Sequence, residues 1–223
     1  MGTLFVVATP IGNLKDITLR ALETLKEVDL ILAEDTRVTK KLLFQYDIRT
    51  PVQSYHEHSQ EKVYKLVSEK LKGGANIALV TDAGTPTISD PGARLVTYVR
   101  KALPEAKITP IPGPSALISA LSAAGISADS LTFLGYPPHK KGRQTFFKNL
   151  EKIETRPIVL YESPHRLQKT FEALAETLGK EKEIIVTREL TKLHEEIWYG
   201  TITEAKSYFI HSKSKGEFTL IIP

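Results

Sequence analysis

Residues 79–92, LVTDAGTPTISDPG, decide how the chain is read. An apolar run over residues 77–80 stops at Thr81-Asp82. A loop rich in Gly, Pro, Thr and Ser follows. Pro91-Gly92-Ala93 then opens a helical pattern with Leu95, Val96 and Val99 on one side. Strand, ligand loop and helix in this order is the arrangement by which open α/β sheets hold ligands at the carboxyl ends of their strands. Gly84 allows close approach of backbone to a ligand, and Pro86 and Pro91 stiffen the loop. Asp82 can pair with an ammonium or accept hydrogen bonds from hydroxyls. An ordinary crossover whose polar residues cap the helix is the plainer alternative. The chain contains neither GxxxxGK[ST] nor GxGxxG, so a ligand gripped through a polyphosphate is not expected.

Outward from this stretch the same grammar repeats. The strand at 3–8, TLFVVA, breaks at Thr9-Pro10-Ile11-Gly12-Asn13. Asp16 or Thr18 can cap a helix carrying Leu19, Leu22, Leu25 and Val28 at helical spacing. A strand at 29–33 ends in Glu34-Asp35-Thr36-Arg37 and leads to a helix at 38–46, a short strand at 51–55 and an amphipathic helix at 61–72 closed by Gly73-Gly74. A strand at 107–111 ends in Pro112-Gly113-Pro114-Ser115 before a small-residue helix at 116–124. Alternating strand and helix predicts a mostly parallel sheet. Beyond residue 125 strands are expected at 131–134, 157–161, 184–187, 197–202 and 218–222. Helices are expected at 143–152, 165–178 and 204–210. Several of these strands are too close for crossover helices, which predicts a mixed sheet. The expectation is therefore an α/β protein of two α/β domains, residues 1–116 and 117–223.

With 223 residues, 41% of them hydrophobic, the chain can bury one large core or two small ones. It has no cysteine, which excludes disulfide and thiol chemistry and suits a reducing compartment. The start, MGTLFVVATP, lacks the basic and apolar regions of a signal peptide, and no apolar stretch nears the ~20 residues of a membrane span. A cytoplasmic protein without membrane contact is expected. The net charge of +4 is shared by both halves, which permits nucleic-acid binding without establishing it.

Four strand ends carry polar clusters: residues 9–13, 34–37, 82–85 and 112–115. In a parallel sheet these ends lie along one edge, where a site is expected. Arg37 either neutralises Glu34 and Asp35 and caps the next helix, or meets a substrate. His56 and His58 face one side of an extended segment. A metal there would need a third ligand, so contact with an anionic substrate or a polar rim is preferred and no metal is expected. In Tyr161-Glu162-Ser163-Pro164-His165-Arg166, His165 and Arg166 open a helix, where the dipole disfavours cations, so an anion is expected nearby. Residues 138–143 and Lys148 hold four positive charges and no acid, as a solvated loop or as phosphate-gripping arms.

The blocks VATPIGNLKDITLRAL, LAEDTR, ALVTDAGTPTISDPG, IPGPSALISALSAAG, YESPHR and TRELTK, in that order from Val7 to Lys192, resemble the ribosomal RNA small subunit methyltransferase I family of the tetrapyrrole methylase superfamily. The later Gly216–Ile222 segment fits as well. The resemblance implies two α/β domains with S-adenosyl-L-methionine bound in a cleft between them. It implies 2′-O-methylation of a decoding-site cytidine (position 1402) in the 16S rRNA of the 30S subunit, and a homodimer. It assigns the cofactor to Pro10, Ile11, Asp82, Ala83, Gly84, Thr85 and Ile88, to Ser115, Ala116 and Leu117, and to Tyr161 and Leu190. Glu34, Asp35, Glu162 and His165 are candidates for activating the hydroxyl. Arg37, His56, Lys140, Lys141, Arg143 and Arg166 are candidates for substrate contact. Residues 134–138, LGYPP, depart from the family's usual Phe-Leu-Pro. Many relatives continue beyond the position of Pro223 into a small extra region.

Methyl transfer from a sulfonium is an in-line displacement, so holding hydroxyl, methyl carbon and sulfur collinear supplies most of the catalysis. A ribose hydroxyl is a poor nucleophile and gains from a base. Two other functions stand beside this one. A superfamily enzyme acting on a small tetrapyrrole would need a roomy pocket for an acidic macrocycle. A non-catalytic rRNA-binding assembly factor would bind RNA without turnover.

Overall fold

The computed structural model describes residues 1–56, 60–210 and 215–223, and divides into two compact units, Met1–Ser115 and Ala116–Pro223. His58 lies outside the described residues.

The first unit is a five-stranded sheet of order β3-β2-β4-β1-β5. Its strands are β1 (Thr3–Val7), β2 (Leu30–Ala33), β3 (Val52–Ser54), β4 (Ile77–Leu79) and β5 (Lys107–Ile111), and every pairing is parallel. The connecting helices are α1 (Leu19–Glu27), α2 (Thr36–Gln45), α3 (Gln60–Lys72) and α4 (Gly92–Ala102). Alternate residues of each strand point to opposite faces, and both faces are apolar. Leu4, Leu30, Leu32, Ile77 and Leu79 pack with Val63, Val67 and Leu71 of α3 and with Leu95 and Val99 of α4. Val7, Ile31, Ala33, Ala78 and Val80 pack with Ala21 and Leu25 of α1 and with Leu42 and Leu43 of α2.

Local chemistry sets the element ends. Thr18, not Asp16, caps α1, its Oγ1 accepting from Ala21 N at 3.1 Å. Asp35 caps α2 through Arg37 N. Gly74, with φ of 89°, closes α3: its N–H reaches Leu71 O and that of Ala75 reaches Lys70 O.

The second unit carries a mixed sheet of order β6-β7-β10-β8-β9. These strands are β6 (Thr132–Gly135), β7 (Ile158–Glu162), β8 (Glu183–Arg188), β9 (Glu196–Thr201) and β10 (Phe218–Ile222). Only β6 and β7 are parallel. On one face Ile158, Leu160, Ile184, Val186, Leu220 and Ile222 pack with residues of α6 (Arg143–Lys148), α7 (Leu167–Leu178) and α8 (Ile202–Tyr208). On the other, Val159, Ile185 and Ile221 meet Ala120 and Leu121 of α5 (Ala116–Ala123).

Several expected helices differ in extent: those expected at 38–46 and 204–210 run Thr36–Gln45 and Ile202–Tyr208, each starting right after its capping residue, Asp35 or Thr201. The one expected at 143–152 ends its α-helical part at Lys148 and continues as a 3-10 turn, Asn149–Lys152. The one expected from residue 165 starts at Leu167, because residues 163–166 form a turn in which Arg166 N donates to Ser163 O.

Candidate active site

Because all five strands of the first unit run the same way, their carboxyl ends share one edge. Thr9, just past β1, and Gly84, past β4, form an isolated antiparallel bridge with N···O distances of 2.9 and 3.0 Å. Thr9 Oγ1 also donates to Thr81 O at 3.0 Å, with both threonines buried. Gly84 has φ of 85°, in the left-handed region that a side chain disfavours. A Cβ there would stand 3.4 Å from Ile11 Cγ2 and 3.8 Å from Pro114 O. Thr85 Oγ1 donates to Pro114 O at 3.1 Å. Pro10-Ile11, Gly84-Thr85 and Pro114 are thereby gathered at one place. Ser115 ends this unit.

Three carboxylates share this edge, and their surroundings separate them. Glu34 Oε2 accepts from Thr81 Oγ1 at 3.0 Å, and burial pushes its carboxyl above the usual range. Asp82 Oδ1 accepts from Asp35 N at 2.9 Å, and burial raises it too. Neither has a cationic side chain at ion-pair distance among the described residues. Asp35 is different. Arg37 donates to it from Nε and from Nη2 at 2.6 Å, and with the Arg37 N–H this holds the carboxyl at about 2. The side chain of Arg37 nonetheless stays 87% exposed. A small cavity of about 50 Å³ opens beside Asp82, lined by Thr9, Pro10, Val38, Leu42 and Thr81.

Ala83 is exposed, and Ile88 is 44% exposed. Thr87 and Ser89 flank Ile88 with φ of 79° and 64°. Non-glycine residues rarely sit there unless their surroundings impose it. Asp90 imposes it here, accepting from Thr87 N at 2.8 Å and from Gly92 N at 2.7 Å.

In the second unit, Leu117 N at the start of α5 donates to Tyr161 Oη at 3.0 Å, and burial raises that phenol. Phe133 meets the Tyr161 ring edge-on and Tyr136 lies tilted against it, at 4.9 and 5.5 Å. Ala116, Leu117 and Tyr161 are thus neighbours. Leu190 packs against the Val159, Ile185 and Ile221 face. It sits between Glu189 and Thr191, whose φ values are 50° and 67°. Glu189 Oε1 accepts from Glu217 N and from Lys192 Nζ, both at 2.9 Å, which fixes this turn.

Glu162, Arg143 and Arg166 also come together, but facing inward. The Glu162 side chain is 0% exposed. It accepts from Ser163 N, Thr170 Oγ1 and Arg166 Nη2, with Arg143 Nη1 at 3.9 Å. Arg166 also donates to Pro137 O, and Arg143 donates to Pro138 O and Thr170 Oγ1. The anion expected near Arg166 is Glu162, part of the chain itself. All three residues, expected to meet the hydroxyl or the substrate, are engaged with one another. Glu162 has no face open to a hydroxyl, and the two guanidinium groups, 16% and 13% exposed, are committed to internal acceptors. His56, His165, Lys140 and Lys141 are exposed. No group of three His, Cys, Asp or Glu side chains among the described residues could hold a metal ion.

The profile of the family described as Tetrapyrrole (Corrin/Porphyrin) Methylases matches residues 3–206. Among curated proteins, "Ribosomal RNA small subunit methyltransferase I" of Synechocystis sp. is 50% identical over 100% of this chain and 79% of its own length. The protein of the same name from Thermotoga maritima is 46% identical over 100% of this chain and 98% of its own length.

The chain belongs to the ribosomal RNA small subunit methyltransferase I family of tetrapyrrole methylases.

Among solved structures, the cobalamin biosynthetic enzyme cobalt precorrin-4 methyltransferase, CbiF, matches 98% of this chain and 94% of its own with a TM-score of 0.71 at 17% identity. Uroporphyrin-III-C-methyltransferase from Thermus thermophilus matches with a TM-score of 0.68, also at 17% identity. At that identity the likeness bears on the fold alone, and the fold is that of tetrapyrrole methylases.

Residues of the first unit fit the cofactor that the resemblance implies. S-adenosyl-L-methionine carries a sulfonium, an ammonium and ribose hydroxyls, and so calls for carboxylate acceptors and closely approaching backbone. Asp82 and Glu34 are half-buried carboxylates with no ion pair among the described residues, and Gly84 leaves a cradle that a Cβ would begin to fill. Sequence reasoning missed the buried hydroxyls of Thr9 and Thr81 and the brace at Asp90. A Thr at the end of an apolar strand and an Asp two residues before the Gly that opens a helix were the available signals.

Proposed function

We propose that the chain is an S-adenosyl-L-methionine-dependent methyltransferase that acts, in the cytoplasm and as a homodimer, on the ribose 2′-hydroxyl of a decoding-site cytidine in 16S rRNA. The observation that carries this reading is the carboxyl edge of the parallel sheet. There two desolvated carboxylates with no ion pair among the described residues, Asp82 and Glu34, share the edge with the left-handed Gly84, in a chain whose relatives are named as methyltransferases of small-subunit rRNA.

When bound, the cofactor supplies a methyl group on a sulfonium sulfur. In the overall transfer the 2′-oxygen bonds to the methyl carbon, the carbon–sulfur bond breaks, and the hydroxyl proton passes to an acceptor. Pro10, Ile11, Ala83, Gly84, Thr85, Ile88, Ser115, Ala116, Leu117, Tyr161 and Leu190 contribute to binding, and Asp82 takes the cofactor's polar groups. As a proton acceptor Glu34 suits the task better than Asp35. A general base gains from a pKa drawn toward neutrality, and burial draws Glu34 in that direction while Arg37 holds Asp35 near 2. His165, exposed at the turn before α7, is the other acceptor consistent with the geometry. Arg37, His56, Lys140 and Lys141 are exposed and available to phosphates.

The test is to incubate the protein with 30S subunits and cofactor labelled in the methyl group, and to map the label. Label on one decoding-site cytidine ribose is the expected result. Labelled protein-free rRNA lacking any modified ribose, or no transfer at all, overturns the reading.

A further inference from the structure

A groove of about 920 Å³ runs along α6 and the 3-10 turn after it, on the second unit. Its floor is Phe147, with the Arg143 guanidinium 4.9 Å above that ring. Lys140, Gln144, Lys148 and Lys152 line it and are exposed. Gln144 and Lys148 stand four apart on one side of α6, and Lys152, at the end of the 3-10 turn, lines the same groove. Glu151 and Glu176 also line the groove. Neither stands at ion-pair distance from these lysines, and among the described residues none of the three lysines has an acidic partner. Two other lysines of this unit are paired: Lys206 with Glu172, and Lys192 with Glu189 and Glu217.

The groove is held from beneath. Glu162 binds Arg166 and Arg143, and these donate to Pro137 O and Pro138 O, fixing the segment that leads to Lys140. Arg143 Nη2 also reaches Thr170 of α7 at 2.7 Å, which ties α6 to the helix forming the groove's other wall. Lysines spread along a groove, none of them ion-paired with Glu151 or Glu176 and all on a braced support, suit a chain of phosphates better than one compact anion.

We propose that this groove grips the backbone of the RNA substrate, with Lys140, Lys148 and Lys152 as phosphate contacts and Arg143, Arg166 and Glu162 as positioning residues that never touch RNA. The inference rests on the reading that the substrate is rRNA. It differs from it in naming a surface set apart in sequence from the carboxyl edge of the first unit.

The experiment measures 30S binding by the full chain across a salt series, without cofactor, for wild type, for Lys148→Ala with Lys152→Ala, and for Lys148→Arg with Lys152→Arg. Each phosphate contact contributes about 0.7–0.9 to the slope of log affinity against log salt. The alanine variant is expected to bind roughly tenfold more weakly at low salt and to lose about 1.4–1.8 from that slope, and the arginine variant to retain both. Calorimetry should give the same cofactor affinity for all three. Unchanged 30S affinity and slope in the alanine variant overturn the proposal, even where wild type methylates 30S. Altered binding with no methylation by wild type keeps the groove and removes the methyltransferase reading. Wild type that binds no RNA, or that binds anionic vesicles in its place, overturns the groove as an RNA surface.

Discussion

Arg166 Nη2 lies 2.8 Å from Glu162 Oε1, and the same guanidinium donates from Nη1 to Pro137 O at 2.7 Å. The pair is internal, so its loss should be read first in stability. Removing one partner of a buried ion pair leaves the other uncompensated, at a cost of about 3–5 kcal/mol. Glu162→Ala should lower the unfolding free energy from urea titration by that amount. Arg143→Ala should likewise destabilise the fold, whereas Lys140→Ala and Lys141→Ala should leave the unfolding free energy within about 0.5 kcal/mol of wild type. Equal midpoints for Glu162→Ala and Lys141→Ala would refute the structural role.

Asp82→Asn keeps an oxygen for the Asp35 N–H while removing the charge. A hydrogen bond to a charged group contributes about 1.5–3 kcal/mol, so cofactor affinity should fall roughly tenfold or more by calorimetry. The apoprotein should become more stable at neutral pH. Asp82 and Glu34 both have raised folded pKa values, so each favours the fold at low pH, and that contribution is lost as pH rises from the unfolded through the folded value. Cofactor affinity should run the other way, falling as pH drops through the raised values and these carboxylates take up protons. Asp35 behaves oppositely to its neighbours. Its folded value near 2 gives stability above the unfolded value that disappears only as pH falls toward 2.

Gly84→Ala forces a side chain into φ of 85° and sets its Cβ 3.4 Å from Ile11 Cγ2. The left-handed conformation costs about 1–2 kcal/mol for a residue with a Cβ. Gly84→Val adds bulk where backbone is proposed to approach the cofactor. The folded valine variant should show no measurable cofactor binding by calorimetry, and wild-type affinity in that variant would contradict the site.

Thr87 at φ of 79° stores strain of the same kind. Thr87→Gly should stabilise the fold by about 0.5–1 kcal/mol, the relief being partly offset by glycine's greater unfolded entropy. Asp90→Ala should destabilise it, because two backbone N–H groups lose their acceptor. Thermal unfolding of the two variants, moving in opposite directions, checks this.

Light scattering at micromolar concentration should give a mass twice the 24.8 kDa of one chain if the proposed homodimer forms. A mass of one chain rules it out.

Much of the fold was legible in the sequence because it is encoded in short-range patterns. Continuous apolar runs such as residues 30–33, buried on both faces, signal parallel strands, and the crowding of strands after residue 180 signals antiparallel pairing. Glycine and proline at the strand ends marked the sheet edge where Thr9 bridges Gly84. What the tertiary structure alone decided is the direction in which charged side chains point. Arg143 stands in a run with Lys140 and Lys141, and nothing in that run distinguishes it. It turns inward because Thr170, eight residues after Glu162 and one helix away in the fold, offers it an acceptor beside a buried carboxylate. Glu34 and Asp35 are adjacent carboxylates with opposite shifts, because one is desolvated against Thr81 and the other faces Arg37. A residue's type and its place on a helix or strand follow from local sequence. The partner that sets its charge and orientation comes from distant sequence, brought near only when the sheets and helices pack.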